Sequence, residues 1–262
     1  MGKMDVVVPE KHTLQKKFRF RCHKDIKCFT HCCSDIEILL TPYDVVCLKK
    51  RLGISSSEFL DKYTYMKIDE KSSHPYAIIK MSDDNKKRCS FLTDEGCSVY
   101  SDRPANCRYY PVGQGTLKKE GKDGNYEEEF YFFIKEPHCY GYDEKKEWTI
   151  ESWRENQEVD RYDEIDKEWK GLLLRKNLPG QRPLNESKQF QFYMASYDID
   201  RFRAYIFESN FLNIFDLEEE TVEKIRNDEI ELIKFGVRYM KFVMMIDETL
   251  KLKKGAEQYK KK

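Results

Sequence analysis

The chain has 262 residues, 47 of them basic and 47 acidic, so its net charge is zero although 36% of it is charged. That balance excludes a global attraction to nucleic acid or to anionic lipid. Its 14% aromatic content suffices for a core, while a mean hydropathy of -0.78 and the lack of any run of about 18 apolar residues exclude a membrane-spanning helix. No nucleic-acid partner and no membrane partner is therefore expected. The N-terminal segment MGKMDVVVPEKHTLQKKF has no apolar stretch of secretory type, and Val6 stands where a myristoylation signal carries Ser or Thr. A cytoplasmic location is the expectation.

Taken in chain order, the first strong signal is Thr41-Pro42, a capping hydroxyl followed by proline at the first helical position. The YDVVCLKKRL that follows repeats apolar residues at helical spacing until Gly53. A second helix is predicted over 56–63, capped by Ser55 or Ser56. Ala77 to Met81 reads as a strand that leads through the polar turn SDDNKK to Cys89. SDRPANCRYY suggests a short helical turn carrying Cys107. A strand pair is predicted over 110–117 and 126–135, joined by the glycine-rich KKEGKDGN. From Trp148 onward helices dominate: one capped by Thr149, one over 159–176 ended by LPGQRP, then 185–196, 199–209 and 227–250, each with apolar residues every three or four positions. Asp198 and Asp200 are read as caps of the helix that follows, not as metal ligands. The lysine-rich end, KKGAEQYKKK, is expected to fray. The predicted fold class is α+β, mostly α. A loop-rich cysteine region with short strands over 1–147 packs against a helical region over 148–262.

Nine cysteines are present, and eight of them lie between Cys22 and Cys139: Cys22, Cys28, Cys32, Cys33, Cys89, Cys97, Cys107 and Cys139. Thiols this dense in a chain without a secretory signal point to metal rather than to disulfides. There is no Cys-x2-Cys knuckle, which argues against the common zinc ribbons. Cys32 and Cys33 are adjacent, and their side chains diverge from the backbone, so they suit two centres or two corners of one cluster. Cys47, on the first predicted helix, is read as a small buried apolar residue. Arg88, Arg103 and Arg108 flank the later cysteines, where they supply positive charge or simply pair with surface acids. His23, His31 and His138 each adjoin a cysteine and are read as outer or exposed residues.

The motifs FRCHKDIKCFTHCC, LTPYDVVCLKKRLGISSSEFL and CSFLTDEGCSVYSDRPANCRYYPVG resemble the YkgJ-type cysteine-cluster family, described as chelating zinc or iron. EWTIESW and DIDRFRAYIFES are similar to its longer members. The resemblance implies that the eight cysteines are the cluster set and that Cys47 lies outside it. Some relatives of that family are flagellin lysine N-methylases. Two functions follow. The first is a metal-binding protein whose iron-sulfur cluster (4Fe-4S favoured) or zinc is structural, electron-carrying or concerned with metal handling. The second is a metal- or iron-sulfur-dependent enzyme that modifies protein lysine. Its partners would be metal ions, with a redox partner or a protein substrate. No glycine-rich strand-to-helix turn suited to a nucleotide-like methyl donor is present. The eight cysteines are expected to converge into one or two compact groups.

Overall fold

A computed structural model describes residues 7–8, 10–121, 124–176 and 183–256. In chain order the elements are β1 (Lys17–Arg19), α1 (Pro42–Leu52), α2 (Ser56–Tyr63), β2 (Thr64–Ile68), β3 (Pro75–Ile79), β4 (Leu92–Thr93), β5 (Gly96–Cys97), α3 (Ala105–Tyr109), β6 (Val112–Gly121) and β7 (Gly124–Phe133). They continue with β8 (Glu147–Thr149), α4 (Ile150–Asn156), α5 (Val159–Lys176), α6 (Glu186–Ser196), α7 (Ile199–Glu208), α8 (Phe211–Ile214), β9 (Phe215–Asp216), α9 (Glu219–Asn227), α10 (Glu229–Val243) and β10 (Lys251–Leu252). The fold is α+β and mostly α. Among the described residues every sheet is a two-stranded pair: β1 with β8, β2 with β3, β4 with β5, β6 with β7, and β9 with β10.

Local chemistry sets most helix ends. Thr41 and Asp44 form a reciprocal capping box on α1, Ser55 and Glu58 form another on α2, and Thr149 and Ser152 a third on α4. Gly53 ends α1 in the left-handed region at φ 67, where a side chain would be strained. The expected strand at 77–81 is β3 shifted toward the N-terminus, because Pro75 to Ile79 pair with β2 while Met81 turns away to bridge Cys89. The expected hairpin has its first strand two residues longer and its second of equal length but shifted two residues toward the N-terminus, with Gly121 opposite Gly124. The turn residues 122–123, the break at 177–182 and the tail at 257–262 lie outside the described residues.

Two expectations in the helical half need correction. The helix expected over 227–250 starts two residues later, after an unpredicted helix, α9, that ends at Asn227: the side chain of Asp228 accepts the N–H groups of Ile230 and Glu231 at 2.7 and 3.2 Å to start α10. α10 then stops at Val243, because Met245 takes φ 57 and the chain folds back, with the Thr249 carbonyl accepting from Arg238 Nε at 2.8 Å. Nor do Asp198 and Asp200 cap their own helix. Asp198 takes the hydroxyls of Ser56 and Ser57 at 2.8 Å, and Asp200 takes the Ser56 N–H at 2.7 Å and Lys49 Nζ at 2.9 Å. Their carboxylates thus serve the start of α2 and the end of α1.

The chain divides into two compact units. The first comprises Met1–Ile38, Met81–Tyr100 and Pro104–Arg161, and the second Leu39–Lys80, Ser101–Arg103 and Tyr162–Lys262. In the first, Phe20, Val112, Tyr131, Phe133, Ile150 and Trp153 form the apolar core, with Phe20 set edge-on to Trp153 at 5.5 Å. In the second, α6, α7 and α10 pack around Phe202, Phe211, Phe235 and Tyr239, with ring centroids 5.5 to 6.2 Å apart.

Candidate metal centre

All eight cysteines of the expected set fall in the first unit, drawn from its three separate stretches, and the ninth, Cys47, falls in the second. None of the nine is in a disulfide. The stretch from Cys22 to Cys33 is almost free of regular structure. It turns through hydrogen bonds from Ile26 N to the His23 carbonyl, His31 N to the Cys28 carbonyl and Cys33 N to the Thr30 carbonyl. Thr30 is left-handed at φ 69 and leads into a single turn of 3-10 helix over His31–Cys33. A loop of this kind leaves side chains, rather than backbone ladders, to hold its shape.

Four thiols gather where this loop meets the segment after β7. Cys28 is buried, and its Sγ accepts the backbone N–H of Tyr140 at 3.2 Å, which seats it beside Cys139. Burial, with the neighbouring Cys32, Cys28 and Cys139, raises the Cys22 thiol to about 11. A hydrogen bond with Cys33, followed by burial, holds the Cys32 thiol far above its ordinary value. Burial also raises Cys139, against a hydrogen bond from Tyr110, while Cys28 and Cys32 add to the rise. Cys22 and Cys139 therefore both lie near Cys28 and Cys32, although they are separated by most of the unit's sequence.

The second neighbourhood starts from Cys33. Its carbonyl accepts the Cys89 N–H at 2.8 Å, with Ser34 bridging Arg88 alongside. Burial raises the Cys89 thiol, and Cys97 contributes to that rise. Cys97 lies opposite Leu92 in the β4–β5 hairpin. The hairpin turns at Gly96, whose φ of 114 excludes an ordinary side chain and whose Cα approaches Phe29 so closely that a Cβ would sit 3.2 Å from the ring. Cys107 is on α3 of the same unit, a short helix whose Arg108 is buried and donates to the Gln157 carbonyl at 2.9 Å.

The flanking cations and histidines have varied roles. Arg108 also reaches Glu158 at 3.3 Å, Arg88 is exposed, and Arg103 lies in the second unit. His138 Nε2 is 3.2 Å from Glu136 Oε2, its ring is 5.7 Å from that of His31, and His23 Nε2 is 3.4 Å from Glu144. Sequence reasoning passed over Tyr110, Glu136 and Tyr142. The Tyr110 hydroxyl bonds Cys139 and stands 3.4 Å from Glu136 Oε2, and burial together with Cys139 raises both tyrosines well above their ordinary range. The spacing that could have flagged Glu136 is its place three residues before Cys139. Cys47 takes a weak hydrogen bond from the Tyr162 hydroxyl at 3.6 Å and is raised by burial.

Soft thiolates in this number suit zinc or iron rather than calcium or magnesium, and the N–H and hydroxyl aimed at Cys28 and Cys139 are donors that stabilise metal-bound sulfur. No group of three or more His, Cys, Asp or Glu side chains among the described residues is closed to a ready chelate. The donor chemistry of this unit is that of a thiolate site for zinc or iron. Residues 21–139 match the model of the CxxCxxCC family, described as "Putative zinc- or iron-chelating domain". Over these residues the chain is similar to that cysteine-cluster family. No curated protein and no solved structure matches the chain. No helix among the described residues is long and apolar enough to cross a membrane.

Proposed function

We propose that the first unit holds iron-sulfur, 4Fe-4S before zinc, through Cys22, Cys28, Cys32, Cys33, Cys89, Cys97, Cys107 and Cys139, in a structural, electron-carrying or metal-handling role. The observation that carries this reading is the sorting of the cysteines: eight in one compact unit, and Cys47 in the other. The electrostatic coupling of Cys22, Cys28, Cys32 and Cys139 supports one four-thiolate set, and the contact of Cys33 with Cys89, together with the coupling of Cys89 to Cys97, supports a second that Cys107 completes. Adjacent Cys32 and Cys33, whose thiols hydrogen-bond each other, then stand where the two sets meet.

Iron-sulfur is preferred because the cysteine spacing departs from zinc knuckles, while the aromatic cluster that packs against Cys139 covers part of a centre whose potential depends on solvent access. Bound there, a cluster would supply one-electron transfer, and the chain's own contribution is to donate hydrogen bonds to the sulfurs from the Tyr110 hydroxyl and the Tyr140 N–H, beside the packing around Phe20. The test is anaerobic isolation from cells competent in cluster assembly, with iron, zinc and acid-labile sulfide measured. Brown protein that holds iron and sulfide, and loses part of its colour in Cys28→Ser and a different part in Cys97→Ser, is the expected result. Colourless protein with stoichiometric zinc and no sulfide would defeat the iron-sulfur choice.

A further inference from the structure

A cleft of about 430 Å³ opens between α5, α9 and α10, and every residue that lines it belongs to the second unit. Its floor is Ile225 and Phe235, both buried in that unit's core. Its walls are charged. Lys234, Arg238 and Lys241 follow one another at spacings of four and three along α10, which puts them in one stripe, and Lys224 joins them from α9. Glu168 of α5 and Glu231 of α10 complete the charged lining. Four cations against two carboxylates leave a local surplus of two positive charges, in a chain whose net charge is zero.

The carboxylates are already engaged. Glu231 holds Lys234 at 2.8 Å and Glu168 holds Lys241 at 2.9 Å, while Lys224 pairs with Glu220 outside the lining at 2.7 Å. Arg238 is different. Its Nε donates to the Thr249 carbonyl at 2.8 Å, and the Thr249 hydroxyl donates to the Arg238 carbonyl at 2.6 Å, so the turn after α10 fixes this residue at two points. Among the described residues its Nη1 and Nη2 have no partner. A guanidinium anchored through Nε presents those two nitrogens as a fork that fits two oxygens of one anion, and little freedom is left to lose when the anion arrives.

We propose that this cleft binds a small phosphate monoester. Arg238 takes two phosphate oxygens, and the neighbouring lysines of α9 and α10 balance the charge. Such an ester carries about -1.5 to -2 charge at pH 7, which meets the surplus, whereas a monocarboxylate would leave about half of it. The volume falls in the range of about 300–1,000 Å³ that small-molecule sites occupy and exceeds what a bare phosphate fills. The organic part of the ester then lies along the methylene stems of the lysines. The proposal does not rest on the metal centre.

Calorimetric titration of the full chain, isolated anaerobically, with phenyl phosphate is the test. The expected result is one saturable site that binds inorganic phosphate and benzoate more weakly by about threefold or more. Arg238→Gln should weaken binding about tenfold. Lys224→Glu, on a different helix, cancels the surplus and should weaken it as much, with an unchanged circular dichroism spectrum. Glu168→Gln raises the surplus to three and should tighten binding about threefold, a gain that damage to the fold would not produce. No saturable binding, equal binding of inorganic phosphate or benzoate, or an affinity indifferent to both Arg238→Gln and Lys224→Glu overturns the proposal. A phosphoserine peptide bound more tightly than phenyl phosphate would overturn the small molecule in favour of a phosphorylated protein.

Discussion

Of the twelve largest side chains with under 2% exposure, eleven lie in the second unit, and Ile150 is the one in the first. The second unit buries its rings between long helices, and its polar contacts join those helices: Lys49 of α1 pairs with Asp200 of α7 at 2.9 Å and Glu229 of α10 at 2.6 Å. The first unit has one long hairpin, several two- or three-residue strands and loops that carry the thiols. Among the described residues its cluster of Phe20, Val112, Tyr131, Phe133, Ile150 and Trp153 does not include the Cys22–Cys33 and Cys89–Cys107 stretches, which bury Cys28, Phe91, Val99 and Ala105 among their apolar residues. One region is thus ordered mainly by apolar burial between helices, and the other has less of it around its loops. Small regions of the second kind take much of their folding free energy from metal.

The largest expected effect breaks that contrast directly. Complete removal of metal should raise amide exchange through residues 20–38 and 81–108 by orders of magnitude while α6, α7 and α10 keep their protection, as followed by exchange mass spectrometry. Equal protection in both states would mean that burial alone orders the thiol loops. Cys139→Ser should copy part of the loss, whereas Cys47→Ser should leave metal content as it is.

Phe202 is fully buried against Phe235 and Tyr239. Phe202→Ala should cost the second unit about 3–5 kcal/mol in denaturant unfolding with metal stoichiometry unchanged. If metal were lost in step, the two regions would fold as one.

A smaller effect is pH-dependent. Asp166 of α5 is fully buried in the second unit and accepts the Tyr43 N–H at 3.2 Å; burial first, then the nearby Asp44 carboxylate, raises its carboxyl to about 7, with Thr41, Lys170 and the Tyr43 N–H opposing. Because the folded state holds this proton more tightly than the unfolded chain, the contribution favours folding below the ordinary carboxylate range and is lost as pH rises toward about 7. Asp166→Asn keeps the acceptor and removes the titration. Its stability relative to wild type should therefore rise across that interval and level off above it, measured as paired urea midpoints; a constant difference would show that the carboxyl does not titrate there. Smallest is Thr41→Ala, which removes the α1 cap and should cost about 1 kcal/mol.

The legible parts of the fold are those made by near neighbours in sequence. α5 spans the predicted 159–176, and the caps at Thr41, Ser55 and Thr149 are bonds between residues three apart. The strand β2 escaped notice because TYMKI lacks alternation, and the structure shows why: four of its five residues are exposed on both faces. Asp198 was legible as a helix start, but its carboxylate goes to serines more than 140 positions away, a choice no local pattern encodes. That eight cysteines group apart from Cys47 could be read from spacing and resemblance, whereas the place of Tyr110 and Glu136 beside Cys139 could not.

By itself the sequence determined which residues can bind metal and where most helices begin, since side-chain chemistry and short-range hydrogen bonds need nothing beyond a few neighbouring positions. Only the tertiary structure decided that residues 39–80 leave the cysteine-bearing stretches and pack with the helices after Tyr162, and that Cys28 comes to rest against Tyr140. Such contacts join segments far apart in the chain. Their partners are selected by the total apolar surface that can be buried and by closure of long loops, which depend on the whole fold rather than on any local run of residues.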